Sequence, residues 1–75
     1  MSIIPALTAT KVIRALKRNG FIEDRQKGSH LILLHPTRKV RTSVPVHAGK
    51  TLKRSLVRQI MDDAKLSVEE FLKLL

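Results

Sequence analysis

Lys27-Gly28-Ser29-His30-Leu31-Ile32-Leu33-Leu34-His35-Pro36 is the stretch that decides the fold. Four apolar residues in a row fit a helix or a strand equally well by periodicity. This run is short, though, and it is framed by a turn glycine and a proline, which favours a central strand buried on both faces. Lys27-Gly28-Ser29 then reads as a tight turn, with a first strand before it at 21–26. Beyond Pro36, Thr37-Arg38-Lys39 makes a second turn. Val40, Thr42, Val44 and Val46 alternate with Arg41, Ser43, Pro45 and His47, the period of a half-buried strand. Pro45 has no N–H to give a ladder, so this strand belongs at an edge. Connections this short favour an antiparallel meander.

Helices flank the three strands. Thr8 or Thr10 can cap the first, Val12, Ile13 and Leu16 form its stripe, and Gly20 ends it, giving a helix over 10–19. Lys11, Arg14 and Arg18 recur on a different, solvent-facing side. After an Ala48-Gly49-Lys50 loop, Thr51 is expected to cap a second helix. Its apolar face is Leu52, Leu56, Val57, Ile60, Met61 and Ala64. Ser67 and Glu70 have capping-box spacing, so a short last helix follows, with Val68, Phe71, Leu72 and Leu75 as its stripe. The expected fold is α+β, ordered α-β-β-β-α with a short extra C-terminal helix. Its three-stranded antiparallel sheet carries the helices on one face.

The chain has 75 residues, 15 Lys or Arg against six Asp or Glu, and a net charge of +9. That length suits a single domain over 1–75. With no Cys there is neither a disulfide framework nor a thiolate metal site. The opening Met1–Leu7 lacks a basic start and is broken by Pro5, so no signal peptide is expected. No apolar run reaches membrane-spanning length, and a cytoplasmic location with no membrane partner is expected. Residues 25–61 hold nine basic side chains and no acid, whereas the last fourteen residues reverse the sign. Such a field attracts polyanions such as nucleic acid or anionic lipid.

The candidate chemistry narrows quickly. His30, His35 and His47 have no metal-ligand spacing; His30 and His35 point to opposite faces of one strand, and Asp62 and Asp63 diverge around a helix. No metal or other cofactor is expected. Two Phe and no Tyr or Trp leave no stacking platform, and Phe21 and Phe71 both read as core. Gly49-Lys50-Thr51 matches only the tail of a phosphate-binding loop. His30 remains, at a strand start after a turn glycine. An imidazole titrating near pH ~6.5 can take and return protons, although a ring that merely packs or caps the turn fits the same position. His35 is structural or a phosphate contact; His47 assists at the site or anchors the loop. Gly28 and Ser29 offer turn amides to a phosphate. Lys27, Arg41, Lys50, Lys53 and Arg54 are the basic residues best placed for phosphate contacts, with solvated surface the alternative for each.

Gly20-Phe21 after a basic helix, Lys27-Gly28-Ser29-His30, His35-Pro36, Val44-Pro45-Val46-His47 and Leu56-x-x-x-Ile60 together resemble the HicA toxin family. The resemblance runs from about Thr10 to Leu75. It implies a fold like the double-stranded-RNA-binding domain, mRNA cleavage, and inhibition by a HicB-type antitoxin. It places the family's catalytic histidine at His30. Two positions depart from the pattern: Arg54-Ser55 stands where Gly-Thr is frequent, and Lys65 stands where a glycine often precedes the last helix. The expected function is that of a metal-independent, RNA-cleaving toxin with His30 as general acid–base. Attack by the ribose 2′-OH would leave a 2′,3′-cyclic phosphate. Lys27, His47 or a second subunit remain open as the second proton-transfer group. The rival readings are a non-catalytic binder of double-stranded RNA or DNA, and a module that docks only an acidic protein.

Overall fold

A computed structural model describes residues 3–47 and 49–75. Met1 and Ser2 of the opening segment and Ala48 of the expected loop lie outside the described residues. The elements are β1 (Leu7–Thr8), α1 (Ala9–Asn19), β2 (Ile22–Lys27), β3 (His30–His35), β4 (Val40–Pro45), β5 (Thr51–Leu52), α2 (Arg54–Asp63) and α3 (Val68–Leu72). β2, β3 and β4 form an antiparallel sheet in that order, with β4 at an edge as Pro45 requires. The architecture is the expected α+β one.

Local chemistry explains most boundaries. The Thr8 hydroxyl accepts from the Lys11 N–H, which starts α1 one residue before the expected point. Gly20 closes that helix at φ 112°, and a Cβ there would stand 2.9 Å from Nε2 of His35, so any side chain would be strained and would have to displace the His35 ring. Both halves of the Ser67–Glu70 capping box form. The Ser67 N–H and hydroxyl hold the Glu70 carboxyl below its ordinary range. That contribution to stability is present above the usual carboxylate pKa and is lost as acid protonates Glu70.

The core lies between the sheet and the helices. Val12 and Leu16 of α1, Leu33 of β3, Val44 of β4, Val57, Ile60 and Met61 of α2, and Phe71 of α3 are all buried. Each such side chain contributes roughly 1.5–3 kcal/mol by leaving water. Thr42 is the buried polar residue among those described, and its hydroxyl donates to the Ile60 carbonyl at 3.1 Å.

Four expectations need correction. β3 is central but buried on one face only: Leu31 and Leu33 are buried, whereas Ile32 and Leu34 are half-buried, because the helices cover a single side. The first strand is 22–27 rather than 21–26, since Phe21 turns into the core and Lys27 pairs with His30. Thr51 does not cap α2. Thr51 and Leu52 pair with Thr8 and Leu7, so α2 begins at Arg54 with Lys53 before it and no side-chain cap. Leu52 is four residues before Leu56, so helical spacing alone misassigns it. Leu75 is exposed beyond the end of α3.

Lys65 sits at φ 59° in the turn after α2, a left-handed position that suits glycine. An L side chain there costs about 1–2 kcal/mol, partly offset by the chain entropy that glycine gives up. Lys65→Gly is therefore expected to stabilise the fold by about 0.5–1 kcal/mol and to raise Tm in a thermal melt. A lower Tm would mean that the Lys65 side chain contributes more than its backbone costs.

Candidate active site

The link from β2 to β3 is two residues long. Gly28 has φ 61° while Ser29 does not enter positive φ, the pattern of a type II′ hairpin turn. The turn fixes the register: Lys27 pairs with His30, Gln26 with Leu31 and Arg25 with Ile32. On the other side His30 faces Pro45, and the Val46 N–H donates to the Ser29 carbonyl at 2.6 Å. The hairpin tip is thus pinned from both flanks. Leu31 and Leu33 point to the core, so His30 projects from the opposite, open face, with Lys27 as its cross-strand neighbour on that face.

The predicted site residues divide between two layers. Lys27 and His30 are adjacent and exposed, and Gly28 and Ser29 form the turn beside them. Arg41 shares their face, but it lies opposite Leu34, roughly 13 Å along the strand from His30, and its guanidinium pairs with Asp24. Lys53 and Arg54 belong to the helical layer, at the start of α2; Arg54 Nε donates to the Ile4 carbonyl at 2.9 Å. His47 and Lys50 occupy the connection between the layers, where the Lys50 N–H donates to the His47 carbonyl at 3.2 Å.

His35 and His30 have opposite fates. The His35 ring packs edge-on against Phe21, with centroids 5.2 Å apart. Its Nε2 lies 3.1 Å from the Asn19 carbonyl, which can only accept, and its Nδ1 accepts from the Arg38 N–H at 3.2 Å. Both nitrogens are committed, so His35 is structural. Arg38 is structural too: its guanidinium donates to the Ala64 carbonyl and to Asn19 Oδ1, and it lies over the Phe21 ring. The His30 and Lys27 side chains, by contrast, make no hydrogen bond or ion pair among the described residues. No group of three or more potential metal-ligating side chains gathers among those residues.

A family model described as HicA toxin of bacterial toxin-antitoxin matches residues 9–66. The chain belongs to the HicA toxin family. Membership gives it a toxin role within a toxin–antitoxin system and implies an antitoxin counterpart. The match to HicA toxins runs from the start of α1 past the end of α2 and includes the His30 hairpin, leaving β1 and α3 outside. A search of curated proteins found no match. Among the described residues no helix is long and apolar enough to cross a membrane.

Arg25 and Ser43 stand on the His30 face and were not singled out by reading the sequence. The signal existed: a two-residue turn after Lys27 sets the register, and the register sets which residues share a face.

Proposed function

We propose that this HicA toxin is a metal-independent endoribonuclease of the cytoplasm that cleaves mRNA, with His30 as its general acid–base and a HicB-type antitoxin as its inhibitor. The observation that carries this reading is the contrast between the histidines of β3: His35 has both ring nitrogens engaged, whereas His30 is exposed beside Lys27 with neither engaged among the described residues. A neutral imidazole there takes the proton from a ribose 2′-OH. The freed O2′ attacks the adjacent phosphorus, the P–O5′ bond breaks, and O5′ leaves with a proton returned from the imidazolium or given by Lys27. The products are a 2′,3′-cyclic phosphate and a 5′-hydroxyl, and no water is consumed. The Lys27 ammonium and the turn amides of Gly28 and Ser29 are positioned to stabilise charge building on the phosphoryl oxygens. Lys50 and Lys53 attract the strand from the neighbouring layer, Arg54 adding only its charge because its Nε is taken by the Ile4 carbonyl, and His47 borders the same end of the sheet.

Incubation of purified protein with labelled RNA in EDTA separates the readings. Cleavage at a rate unaffected by the chelator is expected. Intact RNA retarded on a gel would favour a non-catalytic binder, and intact, unretarded RNA at physiological salt would favour a module that meets protein alone.

A further inference from the structure

We propose that the sheet face turned away from the helices is a track for single-stranded RNA, with Ile22, Arg25, Ile32 and Ser43 as contacts that extend the site beyond His30. The inference rests on the ribonuclease reading and names the path of its substrate.

The register lays three rows across this face. Lys27, His30 and Pro45 form the first, Arg25, Ile32 and Ser43 the second, and Ile22, Leu34 and Arg41 the third. Rows are roughly 7 Å apart, a step comparable with that between phosphates in an extended strand. Ile22 is 52% exposed, and Ile32 and Leu34 are half-buried, so an aliphatic strip running from the third row into the middle one is left uncovered. Cations border it. Arg25, Lys27 and Arg41 outnumber the one acid, Asp24, which reaches both arginines from the bulge in β2. An apolar strip edged by positive charge complements unpaired bases edged by phosphates.

A duplex fits less well. Its bases are stacked inside and cannot meet the strip, and A-form geometry holds each 2′-OH out of line with the neighbouring phosphorus. Aliphatic rather than aromatic contact also predicts weak base preference, because it offers neither stacking specificity nor hydrogen-bond readout. The basic side of α1 is the competing path, but it lies in the other layer. Lys11, Arg14 and Arg18 there line a cleft with Pro5, Ala6, Leu7 and Leu75, and RNA held in it would have the sheet between itself and the His30 ring.

The test is an affinity series in a His30→Ala background, using a fluorescein-labelled, unstructured RNA oligonucleotide of mixed sequence. Ile22→Glu and Arg25→Glu are each expected to weaken binding by about tenfold or more, and Arg14→Glu on the helical side by less than about threefold. Ser43→Arg, which adds a cation to the middle row, is expected to tighten binding several-fold, a gain that misfolding cannot imitate. Equal losses from Arg14→Glu and Arg25→Glu, or no gain from Ser43→Arg, would overturn the track. So would face variants that keep RNA affinity and lose the antitoxin, since the face would then belong to a protein partner. Cleavage by the unmutated chain is scored separately. Its absence would sink the ribonuclease reading while the affinity series still decides the face.

Discussion

His30→Ala is expected to lower single-turnover RNA cleavage by about 10²–10⁴-fold while leaving RNA affinity and folding close to those of the parent. That loss corresponds to about 3–5 kcal/mol of transition-state stabilisation. The variant should fold because His30 is exposed at the start of β3 and its ring fills no part of the core. Surface changes of this kind alter stability by roughly 0.5 kcal/mol or less. Affinity should persist because the proposed phosphate contacts come from cations and not from His30. His35→Ala is the informative counterpart, since it removes a ring held on both nitrogens and packed on Phe21, and so acts on stability instead. A His30→Ala protein that cleaves at the parental rate would refute the catalytic assignment.

Phe71→Ala is expected to cost about 3–5 kcal/mol in urea unfolding, read as a lower midpoint at unchanged slope. A domain of this size has only about 4–11 kcal/mol in total. Phe71 is fully buried although α3 lies beyond the residues that match the family. The C-terminal turn that carries it is held by the Ser67–Glu70 box at one end and by Arg18, whose Nη1 donates to the Leu74 carbonyl at 2.7 Å, at the other. A loss below about 1 kcal/mol would mean that α3 docks loosely and that the 9–66 segment nearly suffices.

What could be read in advance was local. The Gly28 turn, the His30–His35 strand, the Gly20 stop and the Ser67–Glu70 box each depend on residues within a few positions of one another. The β1–β5 pair joins Leu7-Thr8 to Thr51-Leu52, distant in sequence, and neither dipeptide carries a strand signal of its own. Charge was legible as a field but not as a set of jobs. Arg38 fastens the β3–β4 turn to α1 and to the turn after α2, and Arg54 holds the N-terminal segment; a basic residue whose partner is a carbonyl reads no differently from one awaiting a phosphate. The candidate site was legible as His30 and its turn. The proposed extension to Arg25 and Ser43 required the register, and the separation of Arg41 from Lys53 and Arg54 required the two layers.

The end groups of the RNA fragments test the central claim most directly. Digestion in EDTA should yield 2′,3′-cyclic phosphate and 5′-hydroxyl termini, and a single 2′-O-methyl group at a cleaved position should block cutting there, because the attacking hydroxyl is gone. Fragments ending in 3′-hydroxyl and 5′-phosphate, or cleavage that proceeds through a 2′-O-methyl position, would contradict it, since water would then be the nucleophile and His30 would have no 2′-OH proton to take.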